Sequence, residues 1–114
     1  MRAAPSLALL ALLAFAACAP RAVVRPADGG RVSFAWTGAA DAVWLSGTMT
    51  GWERVPLARR GGRFAVALDV PPGRHEYRLE VESAGALRIV LPEGAERVDD
   101  GYGGENAVLR AGGR

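Results

Sequence analysis

Two runs in the middle of the chain alternate apolar and polar residues with a period of two. Phe64, Val66, Leu68 and Val70 interleave with Arg63, Ala65, Ala67 and Asp69. His75, Tyr77, Leu79 and Val81 interleave with Glu76, Arg78, Glu80 and Glu82. A helix would repeat its apolar positions about every 3.6 residues, whereas a period of two gives an extended strand one dry face and one wet face. A chain patterned this way must bury those dry faces by packing sheets together. Residues 32–36, 42–46, 87–91 and 106–110 read as further short strands.

Punctuation falls between the strands: Gly38, residues 47–51, Gly61-Gly62, Pro71-Pro-Gly73, residues 83–85 and residues 101–104. Arg60-Gly-Gly-Arg63 and Pro71-Pro-Gly-Arg74 predict hairpin connections, where Gly supplies positive φ and Pro fixes φ near about −65°. Short strands with turn signals every roughly 8 to 12 residues predict an all-β fold, an immunoglobulin-like β-sandwich. The folded unit is expected at residues 31–110, with 111–114 a frayed tail. Residues 18–30 read as a tether, because Pro20, Pro26 and Asp28-Gly-Gly30 interrupt any apolar period.

The first 17 residues are of another kind. Met1-Arg2 precedes an apolar run from Leu7 to Ala17. That run is too short for a spanning helix, which needs roughly 20 residues, and fits the core of a secretory signal. It ends Phe15-Ala-Ala-Cys18, similar to the lipobox at which bacterial lipoproteins are cut and acylated on cysteine. Cys18 is the single Cys, so no disulfide within the chain competes for it. The alternative is an ordinary signal cut after an Ala-x-Ala-like site. An acylated Cys18 would anchor the protein in a membrane, since two or more acyl chains hold stably. Ala19, in place of the aspartate that retains lipoproteins at the inner membrane, favours the outer membrane of a bacterial envelope.

Catalysis has little to work with. The one His lies in the inward phase of its strand, a position for a packed or hydrogen-bonded residue. No His/Cys/Asp/Glu cluster has metal-ligand spacing, and no cofactor motif is present. Asp99-Asp100 is an acidic pair in a Gly-rich loop, whereas glycoside cleavage needs two carboxyls roughly 5 to 9.5 Å apart across a cleft. Gly101-Tyr-Gly-Gly104 lacks the lysine and the strand–loop–helix setting of a phosphate loop. The 14 basic residues are all arginine, against 12 acids; without Arg2 the rest is near neutral, which gives no reason to expect nucleic acid. Basic residues crowd positions 54–78 and acids positions 80–105, as in a self-complementary surface. An enzyme is not expected.

Binding has more. Of the three Trp, Trp36 and Trp44 lie in strands and read as structural. Trp52 closes a Gly/Thr loop, where an indole can face solvent and stack on the C–H face of a sugar. Its alternative is to pack back and lock the loop.

Leu45-Ser-Gly-Thr-Met-Thr-Gly-Trp52, Val55-Pro-Leu57, Pro71-Pro-Gly-Arg-His-Glu-Tyr-Arg78 and Asp100-Gly-Tyr-Gly-Gly-Glu-Asn106 follow one another in a single order. Together they resemble the glycogen-binding domain of the AMP-activated protein kinase β subunit and the early-set modules of isoamylases and branching enzymes, the family-48 carbohydrate-binding modules. The resemblance spans residues 32–109. It implies an early-set sandwich that binds α-glucan or a related oligosaccharide without catalysis. Trp52 then matches the stacking tryptophan. Arg78 takes the place of a sugar-bonding lysine, or pairs with neighbouring acids instead. Asn106 matches a sugar-bonding asparagine, or caps its own loop. Tyr102 stands where an apolar residue inserts against glucan. The chain departs from the family at Met49 and Thr50, at Leu91, and in the hairpin after Val81. There the second platform tryptophan is absent and Leu87 or Arg88 occupies its region. Losing one platform removes roughly 1 to 3 kcal/mol if sugars stack as bases do, about one to two decades of affinity. The competing expectation is a structural or interaction module that uses the same sandwich against an envelope protein partner.

Overall fold

The computed structural model describes residues 19–112; the expected leader, Cys18 and the last two residues lie outside that range. Ten strands form two sheets and no α-helix occurs among the described residues. In chain order they are β1 (Arg21–Pro26), β2 (Arg31–Thr37), β3 (Ala42–Gly47), β4 (Val55–Pro56), β5 (Ala58–Arg60), β6 (Arg63–Asp69), β7 (Gly73–Ser83), β8 (Ala86–Val90), β9 (Glu96–Asp99) and β10 (Glu105–Ala111). One sheet has the order β1-β2-β6-β5. The other runs β4-β3-β7-β10-β9, with β8 paired to the far half of β7. All pairings are antiparallel.

The core lies where the period of two puts it. Phe34, Trp36 and Phe64 from one sheet meet Val43, Leu45, Tyr77, Leu79 and Val81 from the other, all buried. Phe34 and Tyr77 pack edge to face at 5.4 Å, a favoured aromatic arrangement. The β-sandwich expected from the alternation is the fold observed.

Three expectations are corrected. Residues 21–26 are not tether. They form β1, paired along β2 from Arg21 opposite Thr37 to Pro26 opposite Val32. Ala22 is buried and Val24 packs on the core. Pro26 is tolerated because β1 is an edge strand and Pro26 ends it. Pro71-Pro-Gly73 is not a hairpin, since β6 and β7 belong to different sheets. Two residues without N–H groups cannot continue a ladder, and Gly73 at φ 123° helps turn the chain to the other layer. Ala111 is not frayed: it pairs with Gly73. The Gly61-Gly62 hairpin joins β5 to β6 as expected.

Candidate functional site

Residues 45–52 build one corner of the outer face of the six-stranded sheet. β3 ends at Gly47, where the backbones come so close that a Cβ would lie 2.6 Å from the Glu76 carbonyl oxygen and 2.8 Å from Tyr77 Cβ. A 3₁₀ turn, Thr48–Thr50, follows. The Thr48 hydroxyl donates to His75 Nδ1 (3.0 Å) and accepts from the Glu76 N–H (3.2 Å). His75 Nε2 donates to the Pro71 carbonyl (2.7 Å), so the single His is spent on tying this turn to β7. Met49 packs against the core.

Gly51 and Trp52 then both take left-handed backbone angles, φ 63° and 65°. Glycine does so freely, but a bulky residue there carries strain of order 1–3 kcal/mol. Two hydrogen bonds hold it: the Trp52 N–H donates to the Gly47 carbonyl (2.9 Å) and Ser46 Oγ donates to the Trp52 carbonyl (3.0 Å). The consequence is that Trp52 stays 43% exposed instead of folding back.

Strand register carries the site onward. Ser46 lies opposite Arg78. Ala107 lies opposite Tyr77, and the same register continued by one residue sets Asn106 beside Arg78. Tyr77 and Ala107 point into the core, so Arg78 and Asn106 take the outer phase. Ser46, Arg78 and Asn106 thus form one row across three strands, with Trp52 latched to its first member. The Arg78 guanidinium carbon is 5.9 Å from the Trp52 ring centroid, within cation–π range.

Hydrogen-bonding capacity in this row is unspent. Arg78 contacts Glu80 at 3.9 Å, an ion pair too long for a hydrogen bond, and its Nε has no partner among the described residues. Asn106 is buried. Its Nδ2 donates to Glu76 Oε1 at 3.4 Å, while its Oδ1 is also without a partner. Buried polar atoms are nearly always paired. Both unpaired atoms are closed to solvent; what the row turns outward is the rest of the Arg78 fork, whose side chain is 34% exposed.

The loop between β9 and β10 borders the row. Asp100 Oδ1 accepts from the N–H groups of Tyr102 (2.7 Å) and Gly104 (3.0 Å). These bonds, Tyr102's foremost and with a lesser pull from the Arg78 charge, hold the Asp100 carboxyl below its usual range. Tyr102, at the loop tip, is 95% exposed.

A second cluster adjoins Arg78 on the same face. Glu80 is buried on the outer face and takes Arg54 Nε at 3.0 Å. Arg54 in turn stacks on Trp44 at 3.9 Å, so this arginine covers Trp44. Only the pairing of Trp44 with Glu80 brings these three together, and no local motif announces it. In the region of the absent second tryptophan, β8 presents Leu87 and Ile89 outward, both exposed. Arg88 takes the opposite phase, with its guanidinium 5.9 Å from the buried Trp36 ring.

Comparison with known proteins bears on what such a row is for. Residues 31–108 match the family described as the glycogen recognition site of AMP-activated protein kinase. The chain belongs to this family. It is similar to 5'-AMP-activated protein kinase subunit beta-1 of Rattus norvegicus, 39% identical over 57 residues that make up 50% of this chain and 21% of the relative. It is also similar to SNF1 protein kinase subunit beta-3 of Saccharomyces cerevisiae, 28% identical over 82 residues, 68% of this chain and 18% of that one. The matched region spans about a fifth of the length of these relatives. In three dimensions the fold is that of the crystal structure of a Br derivative of BhCBM56, with a TM-score of 0.51 at 15% identity, covering 63% of this chain and 85% of that one. The sandwich is therefore a carbohydrate-binding module by family.

Proposed function

We propose that this protein is a non-catalytic α-glucan-binding module displayed from a lipid anchor in a bacterial envelope. The observation that carries the sugar-binding reading is the row of Ser46, Arg78 and Asn106 with Trp52 latched to its end. An indole held outward against backbone strain lies beside a partly exposed guanidinium, with the Asn106 amide next to it on the row. Trp52 stacks on a glucose ring, Arg78 and Asn106 bond vicinal hydroxyls, and Tyr102 closes over the chain from its loop. Membership of the glycogen-recognition family supports the ligand class. One aromatic platform instead of two implies weak binding that depends on many sites along a polymer.

The anchor reading rests on the signal-like leader and Cys18. With β1 starting at Arg21, only Ala19 and Pro20 separate Cys18 from the sandwich, so an acylated protein would sit close against its membrane. The outer membrane is favoured by Ala19. Globomycin should cause the precursor to accumulate; processing that continues unchanged would refute the anchor.

A second reading, docking on an envelope protein, is favoured by the exposed Leu87 and Ile89, which form an apolar ledge on the same face. Affinity electrophoresis of residues 19–114 in glycogen-containing gels, beside Trp52→Ala, separates the two. Retardation lost in the variant supports the glucan reading. Unretarded passage of the folded protein moves the assignment to the ledge.

A further inference from the structure

The outer face of the four-stranded sheet, on the far side of the sandwich from Trp52, carries a different chemistry. Strand register places Arg21 opposite Thr37, Thr37 opposite Arg63, and Arg63 opposite Arg60. Three arginines therefore stand in one row across β1, β6 and β5. Like charges directly opposite destabilise a sheet, yet Arg60 and Arg63 face each other, and neither they nor Arg21 have an acidic partner among the described residues. Two residues along β1, the next row is Val23, Ala35, Ala65 and Ala58. Beyond it Arg25 lies opposite Ser33.

Between these rims the floor is made of small side chains, Ser33, Ala35, Ala58 and Ala65, with Val23 at the β1 side. Two shallow hollows of about 210 and 300 Å³ lie on it and share Ser33 and Arg63. Among the described residues no large aromatic side chain is exposed on this face, so it offers a sugar no platform. What it offers is a group of exposed guanidinium forks, each shaped for the oxygens of a phosphate.

We propose that this face docks on the surface of an anionic phospholipid bilayer, with Arg21, Arg25, Arg60 and Arg63 on lipid phosphates. Charge complementarity supplies the attraction. The arginines are spread over three strands, a footprint that matches a surface and not a threaded chain. Arg21 is also three residues from Cys18, so anchoring as read above would bring this edge to the membrane first. The far face, with Trp52, then points toward solvent and a polymer. Only that last orientation rests on the lipid-anchor reading; the attraction itself does not.

The test uses unacylated residues 19–114, which hold every described strand and the whole core, and so does not depend on whether Cys18 is modified. Co-sedimentation with vesicles of phosphatidylcholine and phosphatidylglycerol is expected, with none on phosphatidylcholine alone. Binding should weaken with added salt. Each arginine near an anionic surface contributes about fivefold, so Arg21→Gln with Arg63→Gln should weaken binding on the order of tenfold or more. Arg110→Gln, on the other sheet and paired with Glu96, should leave binding unchanged, and circular dichroism should report all variants folded. Absence of binding to the anionic vesicles would overturn the proposal. So would binding indifferent to the double variant, or loss of binding in millimolar inorganic phosphate at constant ionic strength, which would mark a site for free phosphate instead.

Discussion

Trp52 is where conformation and proposed function meet most closely. A tryptophan at φ 65° is held outward by Ser46 and Gly47, at a backbone cost that glycine would not carry. If the indole served to lock its loop, removing it would destabilise the protein. A half-exposed indole on a strained backbone gives the opposite expectation. Trp52→Gly should leave stability unchanged or raise it by up to about 1 kcal/mol of relieved strain, with Tm equal or higher, while abolishing retardation by glycogen. Thermal unfolding beside affinity electrophoresis reads both. Gly47 is the converse case, because its backbone angles are extended and its need is space alone. Gly47→Ala should destabilise by roughly 1–3 kcal/mol, since the added methyl meets backbone and Tyr77 Cβ; a denaturant titration checks this.

At the scale of elements, legibility followed pattern strength. β6 and β7 alternate cleanly over seven or more residues and were readable with their dry faces. β1 was not, because Arg21-Ala-Val-Val-Arg-Pro26 puts Val23 on the outer face over an alanine floor, which blurs the alternation. β4 and β5 are too short to carry a period, and β9 is made mostly of charged residues. Trp52, Arg78, Tyr102 and Asn106 lie in motifs that mark them in the sequence. The Glu80–Arg54–Trp44 support does not, because it exists only through cross-strand register. β1 gives a direct test of the corrected boundary. A chain beginning at Arg31 strips Ala22 and Val24 from the core and bares the β2 edge. It should lose about 2–4 kcal/mol of stability and aggregate more readily than residues 19–114. Equal stability of the two would restore the tether.

As a whole molecule the sandwich presents two chemically distinct faces over one core, and Tyr77 reports on the integrity of that core. Burial pushes its phenol up to about 12, because the charged form is desolvated. The unfolded phenol titrates near about 10, so the contribution of neutral Tyr77 is complete below that pH and is lost as pH rises toward 12. The loss is on the order of 2 kcal/mol, and Tyr77→Phe should lack this alkaline phase in a pH series of denaturant titrations.

The central claim is that sugar is held by one row on the six-stranded face. Its most direct measurement is a titration of ¹⁵N-labelled residues 19–114 with maltoheptaose, followed by amide, indole and side-chain shifts. Perturbations are expected only at the Trp52 indole, Arg78, Asn106 and the 100–104 loop, with β1, β2, β5 and β6 silent. Shifts centred on Leu87 and Ile89 without Trp52, or on the arginine face, or none at millimolar sugar, would contradict it.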